Sequence, residues 1–282
     1  MQQTIRHHWI MILFAFVGLT SCEHEIDFDY PTAEPMVVFE GQVSNEDVSV
    51  RISHTRPMSD STKNHYIGNA QVWVASDNGQ EELLTYDEHE QCYKSPTGMR
   101  GVPGHTYKMR ATVDGHHYEA TSTMPPKAKV DTAYFRYIEA LSMRVYMVCV
   151  KGLDPYPDER NYYLYRLMRG DEVFRWNQRS GRSNIDGVFE YDIICSSDDD
   201  MEKEVDDDGK IPLRDGDTLE VIIMTIDRPA WLYFQSLSMS NRTTDNPLTN
   251  IQGGAQGVFM ATAITRYESI VFDKEKLLKE KK

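Results

Sequence analysis

An all-β chain of two β-sandwich-like domains is predicted, and three observations predict it. Apolar residues alternate with polar ones over short runs, as at Val48, Val50 and Ile52 or at Tyr107, Met109, Ala111 and Val113, and that period buries one face of a strand. Asn78-Gly79 and Asp114-Gly115 stand between such runs, and those dipeptides accept the positive φ of tight hairpins. Met124-Pro125-Pro126-Lys127 then breaks the pattern, because two successive prolines cannot continue a paired central strand. The first domain is therefore placed at 36–125 and the second at 126–272.

In the first domain a strand at 36–43 opens and one at 118–124 closes a set of about seven strands, the expectation for an immunoglobulin- or transthyretin-like sandwich. In the second, longer and more aromatic runs occupy 132–137, 144–151, 161–168, 172–176, 188–195, 219–226 and 258–264. One helix interrupts them near 229–240, with Asp227 placed to cap it, Pro229 in its first turn, and Ala230, Trp231, Phe234 and Leu237 at helical spacing. The charged tail at 273–282 reads as a solvated, frayed end.

The 282 residues carry 30 Lys and Arg against 44 Asp and Glu, a formal charge of -14. That field repels phosphate backbones, so nucleic acid is excluded as a partner. Hydrophobic residues make up 40% of the chain, enough for a substantial core.

The first 21 residues read as a signal peptide: basic Arg6, an apolar run from Trp9 to Leu19, then small residues. Those 11 apolar residues reach about 16 Å as a helix, short of a membrane span. Leu19-Thr20-Ser21-Cys22 resembles the bacterial lipobox, which implies a mature chain beginning at Cys22 and held to the membrane by acyl chains on that residue. Glu23, Glu25, Asp27 and Asp29 then make 22–35 an acidic tether, similar to the signal that exports lipoproteins to the outer face of the outer membrane. Cys92, Cys149 and Cys195 remain, an odd number; Cys149 and Cys195 end up either bridged between neighbouring strands or as buried free thiols.

A set of motifs in order carries a family resemblance. Ala33-Glu34-Pro35-Met36-Val37-Val38-Phe39-Glu40-Gly41 opens it; Ser122-Thr123-Met124-Pro125-Pro126 and Gly216-Asp217-Thr218-Leu219-Glu220-Val221 follow; Asn246-Pro247 and Asn250-Ile251-Gln252-Gly253-Gly254 close it. The arrangement resembles the Bacteroidota lipoproteins of domain of unknown function 4249, over nearly the whole mature chain. At 253–259 the chain runs one residue longer than the family's Gly-Gly-x-Gly. The resemblance implies no established activity. By association it implies an outer-membrane, surface-exposed lipoprotein that supports a TonB-dependent transporter.

No Gly-x-Ser-x-Gly, His-Glu-x-x-His, phosphate-binding loop or Cys-x-x-Cys is present. The expectation is a non-enzymatic binding or accessory module, with a structural or adhesive module as the alternative and a hydrolase behind both. No cofactor is required, and one metal is considered. Counting from Glu204, the segment 204–215 places carboxylates at Glu204, Asp206, Asp208 and Asp215 with Gly209 at the sixth position, the spacing by which a loop wraps calcium. A hydrated hairpin explains the same residues, although the neighbouring Asp198, Asp199 and Asp200 would repel it without a cation. Adjacent His116 and His117 face opposite sides of a strand and make a poor metal pair. Gly253, Gly254 and Gly257 serve a turn or line a ligand. Trp73, Trp176 and Trp231, each within or beside an apolar run, are expected in the core rather than as platforms for sugars.

Overall fold

The computed structural model describes residues 34–56, 65–140, 143–154, 156, 158–181, 187–207, 209–240 and 246–280. The signal-peptide reading at 1–21, Cys22, most of the 22–35 tether and Asp208 lie outside the described residues.

Eight strands fill the first half: β1 (Val37–Ser44), β2 (Val48–His54), β3 (Gln71–Ser76), β4 (Glu81–Leu83), β5 (Thr85–Asp87), β6 (Cys92–Lys94), β7 (Thr106–Val113) and β8 (His116–Thr123). Turn chemistry sets their register. Asp114 and Gly115 both hold positive φ, 47° and 82°, and join β7 to β8 in a two-residue hairpin. The second half adds β9 (Lys129–Ala140), β10 (Met143–Leu153), β11 (Asn161–Arg169), β12 (Glu172–Gly181), β13 (Val188–Ser197), β14 (Thr218–Ile226) and β15 (Gln256–Val271). Among the described residues three helices accompany them: α1 (Asp198–Met201), α2 (Arg228–Ser240) and α3 (Lys274–Glu280).

The strands form an eight-stranded sheet in the order β12-β11-β14-β15-β1-β2-β6-β5, a three-stranded sheet β13-β10-β9 and a four-stranded sheet β4-β3-β7-β8. The chain is thus all-β and sandwich-like. The four-stranded sheet packs on the β15-β1-β2 portion of the large sheet around Phe39, Val50, Val72, Met109 and Phe259. The three-stranded sheet packs on the β12-β11-β14-β15 portion around Tyr146, Tyr163, Tyr165, Phe189 and Phe272.

β15 belongs to both sandwiches. Its first half, through Thr262, runs parallel to β1, and from Ala263 onward it runs antiparallel to β14. Division of the strands at 125–126 separates β8 from β9, yet the first core also takes Ile251, Ala255, Phe259, Ala261 and Ala263 from the far end of the chain. A strand buried on both faces reads as a continuous apolar run with no period of two, so nothing in its pattern tells which sandwich it serves.

Side chains stand in as strand partners along β15. Asn250 Nδ2 donates to the Phe259 carbonyl at 2.7 Å while its Oδ1 accepts the Phe259 N–H at 3.0 Å. Ser122 Oγ accepts the Ala261 N–H at 2.7 Å, and Asn45 Oδ1 accepts that of Ile264 at 2.5 Å. An unmet N–H or carbonyl in these buried positions would cost about 1–3 kcal/mol. Ser122 and Asn250 of the sequence motifs therefore secure the shared strand.

The expected helix is α2, capped by Asp227: Oδ1 accepts the Ala230 N–H at 3.0 Å, while Oδ2 accepts Ser122 Oγ–H at 2.6 Å. Its apolar side covers Leu164, Ile222, Met224, Val258 and Met260 on the outer face of the large sheet. The tail differs from the frayed end expected of it. Lys274–Glu280 is helical, its first turn capped by Asp273 Oδ1 accepting the Lys276 N–H at 2.8 Å, and Leu277 packs on the second core. One apolar side chain on each turn was too weak a signal to separate this helix from a solvated charge run.

Candidate functional site

The four-stranded sheet buries one face in the first core, and its other face carries a groove. Alternation along β3 sends Val72 and Val74 inward, both fully buried, and leaves Gln71 and Trp73 outward. Cross-strand pairing then builds two rows on this outer face. Trp73 lies opposite Arg110, which lies opposite Glu119; Gln71 lies opposite Thr112, which lies opposite His117. Trp73, Arg110, Thr112, His117 and Glu119 line a groove of about 390 Å³, and Gln71 stands beyond it at the end of its row. The Trp73 side of β3 also pairs with Leu83 of β4, which is 45% exposed.

Trp73 is 37% exposed and Trp176 is 40% exposed, against the expectation that both sit in the core. For Trp73 the reason is strand parity; for Trp176 it is a register shift between β11 and β12, which turns it away from the side of buried Phe174. Trp176 rests on Phe234 of α2 with ring centroids 5.9 Å apart. Trp231 is half-buried, packed against Tyr162 at 5.2 Å.

The polar groups of the groove are held in place from within the sheet. Arg110 is ion-paired with Glu81, and Lys108 Nζ lies 2.7 Å from Glu119. The Thr112 hydroxyl and His117 Nδ1 are hydrogen-bonded at 3.1 Å. The charges of the groove are therefore matched in pairs, and the groove presents an apolar plane with neutral polar edges. At the β8 side, Glu119 and Gln252 exchange backbone hydrogen bonds, which places the Gln252-Gly253 turn beside the groove.

The glycines of that turn answer to close backbone approach. A Cβ on Gly253 would lie 2.4 Å from the His117 carbonyl oxygen, and one on Gly257 would lie 1.9 Å from that of Phe39. Gly257 also holds φ +99°, so no other residue fits between β1 and β15 there.

The acidic segment predicted as a calcium loop is organised by the protein's own cations. Asp206 is buried and ion-paired with Arg175, whose Nε also donates to the Cys195 carbonyl at 3.2 Å. Asp206 Oδ1 accepts the Lys210 N–H at 2.9 Å, closing a tight turn. Asp215 Oδ1 accepts the Lys274 N–H at 2.8 Å, away from Asp206, and Glu204 is exposed. Arg214 donates to the carbonyls of Met201 and Lys203. Among the described residues no group of three or more His, Cys, Asp or Glu side chains converges as a metal would require, and Asp208 lies outside them.

The repulsion expected from Asp198, Asp199 and Asp200 is relieved in the same way. Ser197 caps the short helix α1 in a capping box with Asp200. Asp198 accepts from Lys274 Nζ at 3.0 Å and from the Tyr146 hydroxyl at 2.9 Å. Burial opposes ionisation of Asp198, but the hydrogen bonds from Lys274, Tyr146 and the Arg144 N–H outweigh it and hold the carboxyl below its usual range.

Cys92, Cys149 and Cys195 are buried free thiols. Cys149 sits opposite Asp192 on the outer face of the three-stranded sheet, whereas Cys195 points into the second core, so the two cannot bridge. Burial pushes the Cys195 thiol up to about 12, which makes it a packing residue rather than a nucleophile.

Comparison with known proteins gives one family. The model of a domain of unknown function (DUF4249) matches residues 23–268, and the chain belongs to that family. No curated protein matches its sequence. Among solved structures, the chicken interferon gamma receptor alpha chain aligns over 68% of this chain and 90% of its own at 11% identity and a TM-score of 0.18, a likeness that supports no argument about this protein.

Proposed function

We propose that this DUF4249 protein is a Bacteroidota lipoprotein, anchored through Cys22 to the outer membrane and facing outside the cell, that works by binding rather than by catalysis. The observation that carries the binding reading is the groove over Trp73, where a large indole is left at the surface of a sheet whose neighbouring charges are already paired. An exposed indole on a strand whose other face is locked in a core offers a ligand an apolar surface already held in place. Anchoring is supported by Leu19-Thr20-Ser21-Cys22 following an apolar run too short to span a bilayer. Acyl chains contribute ~0.8 kcal/mol per buried CH₂, so a multiply acylated Cys22 would hold the chain at the membrane without a spanning helix. The natural partner for such a module is a TonB-dependent receptor, which it would assist in uptake.

Two measurements test this. Cys22→Ala should abolish lipid labelling and release the protein from the membrane fraction, and unchanged membrane partition would overturn the anchor. Purification of the lipidated protein from its own membranes should bring a TonB-dependent receptor with it. Purification without a receptor would favour the structural or adhesive module.

A further inference from the structure

The geometry points to a carbohydrate site on the Trp73 face, for an uncharged oligosaccharide of equatorially linked pyranose units lying across β3, β7 and β8. This deepens the reading of the chain as a binding module by naming its ligand class.

A pyranose ring presents C–H groups on its two faces and hydroxyls around its rim. Its partner surface must therefore offer an apolar plane bordered by hydrogen-bonding groups. Trp73 supplies the plane, 37% exposed on a strand whose other face is locked in the first core. The border is supplied by Thr112 and His117 in one row and by Arg110 and Glu119 in the other. Residues two apart on a strand stand ~6.8 Å from each other, so a single sugar ring spans the two rows.

Charge narrows the ligand further. Arg110 is taken by Glu81 and Glu119 by Lys108, so the groove has no spare cation for a phosphate or carboxylate and no spare anion for a basic peptide. A neutral polyol leaves those pairs intact and draws on their remaining donor and acceptor positions. Shape narrows it again. The groove of about 390 Å³ lies across the strands of an open sheet rather than in an enclosed cavity, which suits an extended chain of flat rings. His117 Nδ1 is engaged by Thr112, which fixes the ring and leaves its other nitrogen for a ligand hydroxyl.

The test is a titration of the full mature chain with cellohexaose, followed by tryptophan fluorescence and by calorimetry. Saturable binding is expected, weakened by roughly tenfold or more in Trp73→Ala and severalfold in His117→Ala, as loss of a central aromatic and of an edge contact should do. Trp176→Ala, on the far side of the molecule's other sandwich, should bind as the parent does. Should Trp73→Ala fail to fold, the exposed His117→Ala and Arg110→Ala variants decide the matter, since both side chains line the groove and neither enters a core. No saturable signal with the folded parent up to about 10 mM sugar would overturn the assignment. Equal binding by the parent and every groove variant would overturn it too. Neither result bears on the lipid anchor or the receptor, which are read through Cys22→Ala and co-purification.

Discussion

The first core is led by valines and methionines, among them Val43, Val48, Val50, Val72, Val74, Met99, Met109 and Met124, with the rings of Phe39, Tyr93, Tyr107, Tyr118 and Phe259 set between them. The second is filled by rings: Tyr146 meets Phe272 at 5.3 Å, Tyr163 meets Phe189 at 5.6 Å, and Phe189 stacks on Tyr191 at 5.7 Å. Their borders differ in the same sense. Short turns with positive-φ residues, such as Asn78-Gly79 and Asp114-Gly115, close the first sandwich locally. The second has a tight hairpin too, Arg169 pairing with Glu172 across Gly170 at φ 60°, but its longer loops are held by distant polar pairs, Arg175 with Asp206 and Lys274 with Asp198. Branched aliphatic side chains fit neighbouring strands joined by tight turns, where register is already fixed. The long connection between β13 and β14 has no such turn to fix it, and Arg175 and Arg214 pin it down.

The largest effect should come from testing whether the two cores unfold as one. Phe259→Ala removes a ring at the centre of the first core, and Phe189→Ala removes one at the centre of the second, each at a cost of about 3–5 kcal/mol. Because β15 belongs to both sandwiches, each variant should shift a single denaturant transition seen by near-ultraviolet and far-ultraviolet circular dichroism. Two transitions, with only one moved by each substitution, would show that the cores are energetically separate despite the shared strand.

The next effect concerns the arginine-held rim. Arg175→Met leaves Asp206 buried without its cation and should cost about 3 kcal/mol in chemical denaturation. Asp206→Asn should also destabilise, and its deficit should be the same in millimolar calcium as in chelator, because Arg175 already occupies the carboxylate. A deficit that appears only with calcium would assign the loop to the metal.

The smallest effect lies where the sandwiches meet. Asp227 is half-buried at the start of α2, and desolvation raises its pKa above the ordinary 3.8 in spite of the hydrogen bonds from Ser122, Ala230 and Thr123. A folded pKa above the unfolded one means a contribution to stability that is full below pH 3.8 and lost as pH rises through the folded value. Asp227→Asn should flatten that part of the stability profile between acid and neutral pH while keeping the helix capped. Asp227→Ala should cost about 1 kcal/mol at every pH, as a lost cap does. A parent profile with no such decline would place the carboxylate in solvent contact.

Much of the architecture was legible in local signals. Alternation at Val48, Val50 and Ile52 marked β2, Asp114-Gly115 marked the β7–β8 hairpin, and Asp227 with Pro229 marked the start of α2. The groove was not legible, since alternation along β3 turns Trp73 outward but only the pairing of β3, β7 and β8 sets Arg110, Thr112, His117 and Glu119 beside it. The calcium spacing at 204–215 was a true acidic pattern whose partners, Arg175 and Lys274, lie 31 and 59 residues from the carboxylates they meet.

By itself the sequence determined the strand-rich class, the tight hairpins and the capped helix, because these depend on φ preferences, side-chain alternation and capping groups within a few residues of one another. Tertiary structure alone decided that β15 would join both sandwiches, that Asn45, Ser122 and Asn250 would serve as its partners, and that Asp206 of the acidic loop would meet Arg175. The physical reason is that pairing between distant strands and neutralisation of buried charge depend on which groups meet in space, and a strand that is apolar on both faces carries no mark of its neighbours.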